Sequence, residues 1–296
     1  MFSFMQWSFV EYERSAPGSS VEPTLVRVAN WLTNTALFEQ AWKIVCDGPL
    51  KWWWSEQLCL FTVGFWTVFL LTKGTYTSVA SICLTYSDRS LDDLGREYRV
   101  KHVWAYMLFG QLVAISVGIN LFFLALPPTA SARATEIAST KRTVPPLLWL
   151  SVLASLGTVF LVPRSLQHDY FLLNLLVMHA LLVIPLLPLR VAPTGSLHIR
   201  TRALYQLIAL LAVIARVRTT LSMNTTGAVA GQETVWAVLH SHPAQASIGW
   251  DVVWTTISFL MWIRPAVQGQ LMVILASGLW SIGTSAPLYF WAAVET

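Results

Sequence analysis

The amino-acid sequence predicts an all-α polytopic membrane protein, a bundle of seven transmembrane helices preceded by an amphipathic segment at the membrane interface. The chain has 296 residues, of which 55% are hydrophobic and only 11% are charged, and its mean hydropathy is +0.57. A soluble domain carries about 25% charged residues, so most of this surface must face lipid. The apolar residues are also concentrated in seven runs, each near the roughly 20 residues that cross a bilayer.

The predicted spans and the interfacial segment use the whole chain. We expect the spans at about residues 57–81, 103–126, 144–162, 170–189, 203–222, 245–262 and 267–291. Residues 24–55 alternate apolar and polar side chains and end in Lys51 followed by three tryptophans, which is typical of an interfacial helix with an aromatic anchor. The predicted domains are therefore an N-terminal segment, 1–56, and a membrane domain, 57–296.

The distribution of Lys and Arg predicts the orientation of these spans. Eleven of these residues fall in the N-terminal segment and the loops on its side of the membrane, and five fall in the opposite loops. Because cytoplasmic loops carry the excess of Lys and Arg, we expect a cytosolic N-terminus and a lumenal C-terminus in the endoplasmic reticulum membrane. A glycosylation sequon at Asn224 then lies on the lumenal side, close to the end of span five.

The composition disfavours two classes of function. The net charge of +4 could suggest nucleic acid, but the basic residues mostly flank apolar runs, so membrane topology explains them and no nucleic-acid partner is expected. Cys46, Cys59 and Cys83 are scattered without a CxxC pair. His240 and His242 lack a nearby carboxylate cluster. We therefore expect no metal and no cofactor.

Asp251 is the strongest candidate for a functional residue. It lies in the run SIGWDVVWTTISFLMW, residues 247–262, and it is the one carboxylate inside a predicted span. A charged side chain at the centre of a membrane helix costs about 2.5–3.5 kcal/mol on the insertion scale, and such residues face the bundle interior or a wet cavity. The plainer interpretation is a buried ion pair that only fixes helix packing.

The residues around Asp251 form two stripes at helical spacing, about 100° per residue. One face carries Asp251, Thr255, Ser258 and Trp262. The neighbouring face carries Trp250, Trp254, Ile257 and Met261. A polar stripe beside an aromatic stripe is typical of a helix that lines an apolar pocket, although ordinary hydrogen bonds between helices also explain Thr255 and Ser258.

Arg216 is a second charged candidate. It lies in span five and shares a face with Tyr205 and Thr220. In the predicted topology Arg216 and Asp251 lie at similar depth in the lumenal half of the membrane, so they could pair directly or both contact a substrate.

Further polar and aromatic residues complete a predicted substrate-binding set. These are Gln111, Asn120, Asn174, His179, Tyr205 and Trp280. Gln111 and Asn120 lie on opposite faces of span two, so at most one of them should line a shared pocket. His179 and Asn174 fit hydrogen bonds between helices as well as they fit a substrate contact.

Such a site suits acid-initiated chemistry on a lipophilic substrate. A carboxylic acid buried among aromatic rings is favoured in its protonated form because desolvation penalises the charge, so it can serve as a general acid near neutral pH. An ion pair with Arg216 would instead favour the charged carboxylate and weaken its role as an acid. The reaction would be protonation of an alkene or epoxide, with the resulting cation stabilised by aromatic faces.

Two runs of the chain carry a resemblance to a known family, AYMLFGQLVAISVGINLFFLALPP (105–128) and SHPAQASIGWDVVWTTISFLMW (241–262). Together with the seven spans and the Trp-rich N-terminal segment, they resemble the fungal integral-membrane terpene cyclases of meroterpenoid biosynthesis. The similarity is greatest to the branch of the macrophorin, ascochlorin and ascofuranone type, which handles farnesylated phenols and quinones.

The resemblance implies metal-independent cyclisation of a prenyl chain, begun by protonation of a terminal epoxide or olefin. It implies that Asp251 is the acid. The better-known members also use a glutamate on an early helix, but no Glu lies inside predicted spans one to three. Glu97, just before span two, is the nearest substitute, although a solvated loop charge explains it as well.

The alternatives are a seven-helix transporter or receptor-like protein and a sterol-isomerase-like membrane enzyme. A transporter would use Asp251 and Arg216 to bind or gate a solute, but the chain has no detectable inverted repeat and no long cytosolic loop. The expected partners are a lipophilic prenylated small molecule and membrane lipid. The sequence leaves the oligomeric state, the ring pattern of the product and the second acid or base open.

Overall fold

The computed structural model describes residues 2–15, 23–73, 100, 102–126, 143–187, 197–225, 235–263, 277 and 281–292, and this part of the chain is almost entirely helical. The helices are α1 (Phe2–Ser15), α2 (Thr24–Asn34), α3 (Leu37–Cys46), α4 (Pro49–Leu60), α5 (Thr67–Lys73), α6 (Val103–Leu112), α7 (Ile115–Ala125), α8 (Pro146–Ser165), α9 (Phe171–Val183), α10 (Thr201–Thr225), α11 (Val235–Leu239), α12 (Pro243–Ile263) and α13 (Ile282–Ala292). A π-helical segment, Phe61–Trp66, joins α4 to α5, and a 3-10 turn, Ile184–Leu186, extends α9. Two short strands, β1 (Thr143–Val144) and β2 (Ile199–Arg200), pair antiparallel before α8 and α10.

Four helices of the described ranges are long and apolar enough to cross a membrane: Pro49–Thr72, Pro146–Ser165, Thr201–Met223 and Pro243–Ile263. Val103–Leu112, Ile115–Ala125 and Phe171–Leu186 are apolar but shorter. The all-helical architecture with membrane-length helices is therefore confirmed, whereas the count of seven spans is not. About half of the predicted span 267–291 lies outside the described residues.

The first predicted span starts earlier than expected, because the helix begins at Pro49 rather than near residue 57. In the most apolar stretch of this helix, 94% of the residues are buried, because α8, α10, α12 and α13 pack around it. Trp52 is buried in the core instead of forming an interfacial anchor. Glu56 and Gln57 of the same helix are buried by protein rather than by lipid.

The predicted span 103–126 is wrong, because α6 and α7 fold back on each other as a helical hairpin. The rings of Tyr106 and Phe122 lie 5.4 Å apart. A Cβ atom added at Gly118 would lie 2.9 Å from the backbone nitrogen of Gly110, so the two helices touch along their backbones. With 10 and 11 residues, each arm is about 15 Å long at 1.5 Å per residue, half of a bilayer core of about 30 Å.

The tip of the hairpin is the Val113–Ala114 turn. Ala114 is extended, with φ −170° and ψ 146°, and α7 begins at the next residue. Nothing in the run QLVAIS marks a turn, since it contains no Pro or Gly, and this is why the sequence reads as one continuous crossing. Irregular backbone at membrane depth is tolerated only where protein or a cavity surrounds it.

Packing of the long helices fixes which chain segments share a face of the bundle. Pro49, Leu166, His168 and His242 line one polar groove, so the start of α4, the end of α8 and the start of α12 lie together. We call this side the N-terminal face. The helix α10 runs antiparallel to α4, since Tyr205 stacks near Phe65 while Arg216 reaches Trp53. The ends of α5 and α7 and the starts of α8 and α10 therefore lie on the opposite face.

The helices α1, α2 and α3 of the N-terminal segment pack on the bundle. Arg27 of α2 forms an ion pair with Glu13 of α1. Phe4 of α1 and Val45 of α3 are buried in the main core, and the ring of Trp7 meets the edge of His242 at 4.3 Å. The segment thus covers one side of the bundle.

Candidate functional site

A cavity of about 400 Å³ lies between the N-terminal segment and the membrane helices. Its size falls in the range of about 300–1,000 Å³ that is usual for small-molecule sites, which are mostly apolar with a few convergent polar groups. The walls come from α1, α3, α4 with the π-helical segment, α9, α12 and the tip of the α6–α7 hairpin. Its polar residues are Thr62, Gln111, His179, Ser247 and Asp251.

Asp251 lies in the cavity wall and holds the tip of the hairpin. One carboxylate oxygen accepts a hydrogen bond of 2.7 Å from the backbone N–H of Ser116, and the other accepts one of 3.0 Å from Ile115. These are the first N–H groups of α7, which have no partner within their own helix. Carboxylates bind well at this position because the helix dipole and the two N–H groups stabilise negative charge.

This geometry gives the Asp251 carboxyl two opposing influences. The apolar wall favours the neutral acid, and the two N–H donors favour the carboxylate. A carboxyl group has about four lone-pair positions, so the two backbone hydrogen bonds do not occupy all of them. In the ionised state, the two N–H groups stabilise the carboxylate.

Gln111 and His179 reach the same cavity from different helices. Gln111 precedes the hairpin tip by two residues, and its Nε2 is buried without a hydrogen-bond partner. His179 is on α9, where its Nδ1 lies 2.8 Å from the carbonyl oxygen of Leu175. Phe38 and Trp42 of α3 contact the His179 ring edge-on, with centroids at 5.3 and 5.9 Å. These side chains and Asp251 are the part of the predicted site that the structure brings together.

Arg216 is not paired with Asp251; its partner is Glu56 of α4. Arg216 Nη1 lies 3.2 Å from Glu56 Oε2 and donates a 2.8 Å hydrogen bond to the carbonyl of Trp53. Thr219 donates to the other oxygen of Glu56 at 2.8 Å. Both side chains of the ion pair are only 2% exposed, and neither lines the cavity. Glu56 also corrects the expectation that Asp251 is the sole carboxylate within a span.

The aromatic stripe of α12 faces outward. Trp250 and Trp254 are 38% and 54% exposed, and Trp250 contacts Trp236 and His240 outside the cavity. Their predicted role in a pocket is not supported, because the opposite side of α12 packs on the bundle. Thr255 is fully buried without lining the cavity, and Ser258 donates to the carbonyl of Trp254.

Three other predicted residues are engaged elsewhere. Asn120 is exposed and donates to the carbonyl of Ser116 within α7. Asn174 joins α9 to α8 by a 3.1 Å hydrogen bond to the carbonyl of Thr158, as expected for a contact between helices. Tyr205 lies in an aromatic cluster with Phe65 and Phe290. Glu97 and Trp280 lie outside the described residues.

The described residues contain no group of three or more potential metal ligands among His, Cys, Asp and Glu.

Comparison with known proteins returned no matching family model, no matching curated protein and no matching solved structure. Any assignment of function therefore depends on the chemistry of the cavity and on the motifs of the sequence.

Proposed function

We propose that the chain is a membrane-bound terpene cyclase that protonates a terminal epoxide or olefin of a farnesylated phenol or quinone. The observation that carries the proposal is Asp251, an acid placed in the wall of an apolar cavity of about 400 Å³ and anchored to a helix N-terminus. The cavity is large enough for a lipophilic small molecule. The sequence runs 105–128 and 241–262 resemble the fungal meroterpenoid cyclases, and they contain most of the α6–α7 hairpin and of α12, which meet at Asp251.

In this reaction Asp251 donates its proton to the epoxide oxygen or the terminal olefin carbon. Carbon–carbon bonds then form as the double bonds of the prenyl chain attack the cation, and loss of a proton from carbon ends the sequence, so the mass is unchanged. The N–H groups of Ile115 and Ser116 stabilise the carboxylate that remains. General acid catalysis of this kind contributes about 10²–10⁴-fold to a rate.

The rings that would stabilise the cation are those of the cavity wall. Phe4, Phe38 and Trp42 line the cavity, whereas Trp250 and Trp254 face outward. An aromatic face stabilises a desolvated cation by about 2 kcal/mol or more. The N-terminal segment is thus part of the proposed active site, since all three rings belong to α1 or α3.

Product analysis tests the proposal. Microsomes containing the protein are incubated with a farnesylated epoxyphenol, and the products are separated and analysed by mass spectrometry and NMR. We expect a product of unchanged mass with a new ring. Unreacted substrate would contradict the proposal, and a double-bond isomer without a new ring would indicate an isomerase instead.

A transporter is the second candidate, because the α6–α7 hairpin provides one observation in its favour. Transporters commonly bind anionic solutes at the N-terminus of a broken helix. Here that position is occupied by Asp251, which excludes a second anion while the two hydrogen bonds persist. Uptake of a solute into proteoliposomes that is lost in Asp251→Asn would favour the transporter.

We also propose that the N-terminal face is lumenal, opposite to the orientation expected from seven spans. With α6 and α7 forming a hairpin, the chain would place five Lys and Arg residues on the N-terminal face and eleven on the opposite face, counted from the sequence without Lys73, Arg216 and Arg218. The excess of Lys and Arg marks the cytosolic side. An endoplasmic reticulum location remains part of the proposal.

A further inference from the structure

His179 lines the cavity and carries a hydrogen-bond acceptor. The carbonyl oxygen of Leu175 can only accept a hydrogen bond, so the His179 Nδ1 that lies 2.8 Å away carries a hydrogen. In a neutral imidazole the other nitrogen, Nε2, is then the acceptor. Among the described residues, no carboxylate forms an ion pair with His179 and no group donates a hydrogen bond to Nε2.

The surroundings of His179 form an aromatic corner of the cavity. Phe38 and Trp42 meet the imidazole edge-on, at interplanar angles of 76° and 81°, and each other at 60°. All three side chains line the cavity. Edge-to-face arrangements of this kind are the preferred geometry for aromatic rings, so the corner suits a further aromatic ring.

The polar groups at the hairpin tip have the opposite character. Gln111 Nε2 is a buried donor without a partner, and Asp251 is the acid of the proposed function. An epoxide or quinone oxygen can accept from such groups but cannot donate to His179. The cavity thus carries a donor without a partner, Gln111 Nε2, at the hairpin tip and an acceptor, His179 Nε2, in the aromatic corner.

We propose that His179 determines specificity by accepting a hydrogen bond from a hydroxyl on the aromatic head of the ligand. The cavity then takes a prenylated phenol in preference to the corresponding quinone or ether, with the ring against Phe38 and Trp42. Only the prenyl tail of the ligand is taken from the proposed function. Recognition of the hydroxyl depends on His179 and does not require catalysis.

Binding of two ligands that differ in one hydroxyl tests the role of His179. Dissociation constants of 2-farnesylphenol and farnesylbenzene are measured in lipid nanodiscs for the wild type, His179→Phe and His179→Gln. We expect the wild type to bind the phenol about tenfold more tightly, His179→Phe to lose this ratio, and His179→Gln to retain part of it because an amide oxygen still accepts. Comparing ratios between variants cancels the different partitioning of the two ligands into lipid.

The control is His168→Phe, the same change at an exposed histidine after α8, which should keep the wild-type ratio. Equal affinities in the wild type, a ratio that persists in His179→Phe, or no binding of either ligand would overturn the inference. Turnover is not needed for this measurement. A protein that shows the ratio but forms no ring refutes the cyclase and leaves the role of His179 standing, whereas ring formation without the ratio refutes His179 alone.

Discussion

Asp251 accepts a 2.7 Å hydrogen bond from the backbone N–H of Ser116, although the two residues are 135 positions apart in the chain. The contact fastens the middle of α12 to the first turn of α7. It also places the carboxyl group where a broken helix, an apolar cavity and the membrane interior meet. Asp251 therefore caps the N-terminus of α7 and provides the acid of the proposed site.

The Glu56–Arg216 pair should be structural rather than catalytic. We expect Arg216→Met to lower the free energy of unfolding by about 3–5 kcal/mol, because it leaves a buried carboxylate without its partner. The double variant with Glu56→Gln should recover part of this loss, and Arg218→Met, at a half-buried arginine, should cost less. Thermal unfolding in detergent micelles measures the stabilities. A folded Arg216→Met protein that has lost cyclisation would contradict a purely structural role.

The hairpin depends on the close contact between Gly118 and Gly110. We expect Gly118→Ala to destabilise the protein, since the new Cβ would lie 2.8 Å from the carbonyl oxygen of Tyr106, and small residues are what allow helices to approach so closely in membranes. The matched control is Gly157→Ala in α8, where a Cβ meets nothing within 4 Å. That change should stabilise the helix by up to about 1 kcal/mol. Equal changes in melting temperature for Gly118→Ala and Gly157→Ala would argue against a packed hairpin.

The docking of α1 should weaken at acidic pH through His242. Burial, and to a lesser degree the charge of Lys51, lower the pKa of His242 in the folded protein. The unfolded reference value is about 6.5, so just below that pH the undocked state binds more protons and stability falls as the pH falls. Hydrogen exchange of the α1 amides should therefore accelerate as the pH falls below about 6.5, after correction for the intrinsic rate. The acceleration should vanish in His242→Phe and persist in His198→Phe.

The proposed orientation can be read from added glycosylation sequons. Gly18→Asn creates a sequon in the N-terminal segment, and Ile137→Asn creates one between α7 and α8; both are placed in an Asn224→Gln background. We expect glycosylation at position 18 and none at 137, because only lumenal sites are modified. A shift in electrophoretic mobility that is removed by a glycosidase reports the result. The reverse pattern would restore the cytosolic N-terminus.

The energetic cost of burying a charge is the signal by which the sequence singles out one residue of the cavity. A carboxylate inside an apolar run is expensive, and this signal led to Asp251, which does line a cavity with Gln111 and His179. The aromatic stripe did not identify the side of α12 that faces the cavity. Large rings also suit lipid-facing positions, so Trp254 carries no information about which side of α12 is buried. Glu56 was missed because KWWWSEQ reads as an interfacial anchor, and burial by other helices cannot be seen in a local pattern.

The prediction of the fold failed at the hairpin for a comparable reason. A run of about 24 apolar residues is long enough to span a bilayer, and the turn at Val113 and Ala114 contains no residue that interrupts a helix. What stabilises the turn is Asp251, which is distant in sequence. The orientation that we propose differs from the expected one for the same reason, because one crossing fewer exchanges the sides of every later loop.

The rate of ring formation by Asp251 variants tests the central claim most directly. The wild type, Asp251→Asn and Asp251→Glu are compared in microsomes with a farnesylated epoxyphenol, with rates normalised to folded protein, and with Asp169→Asn as an exposed control. We predict that Asp251→Asn loses about 10²–10⁴-fold in rate, that Asp251→Glu retains part of it, and that the control is unchanged. Wild-type rates in Asp251→Asn would contradict Asp251 as the proton donor of this cavity.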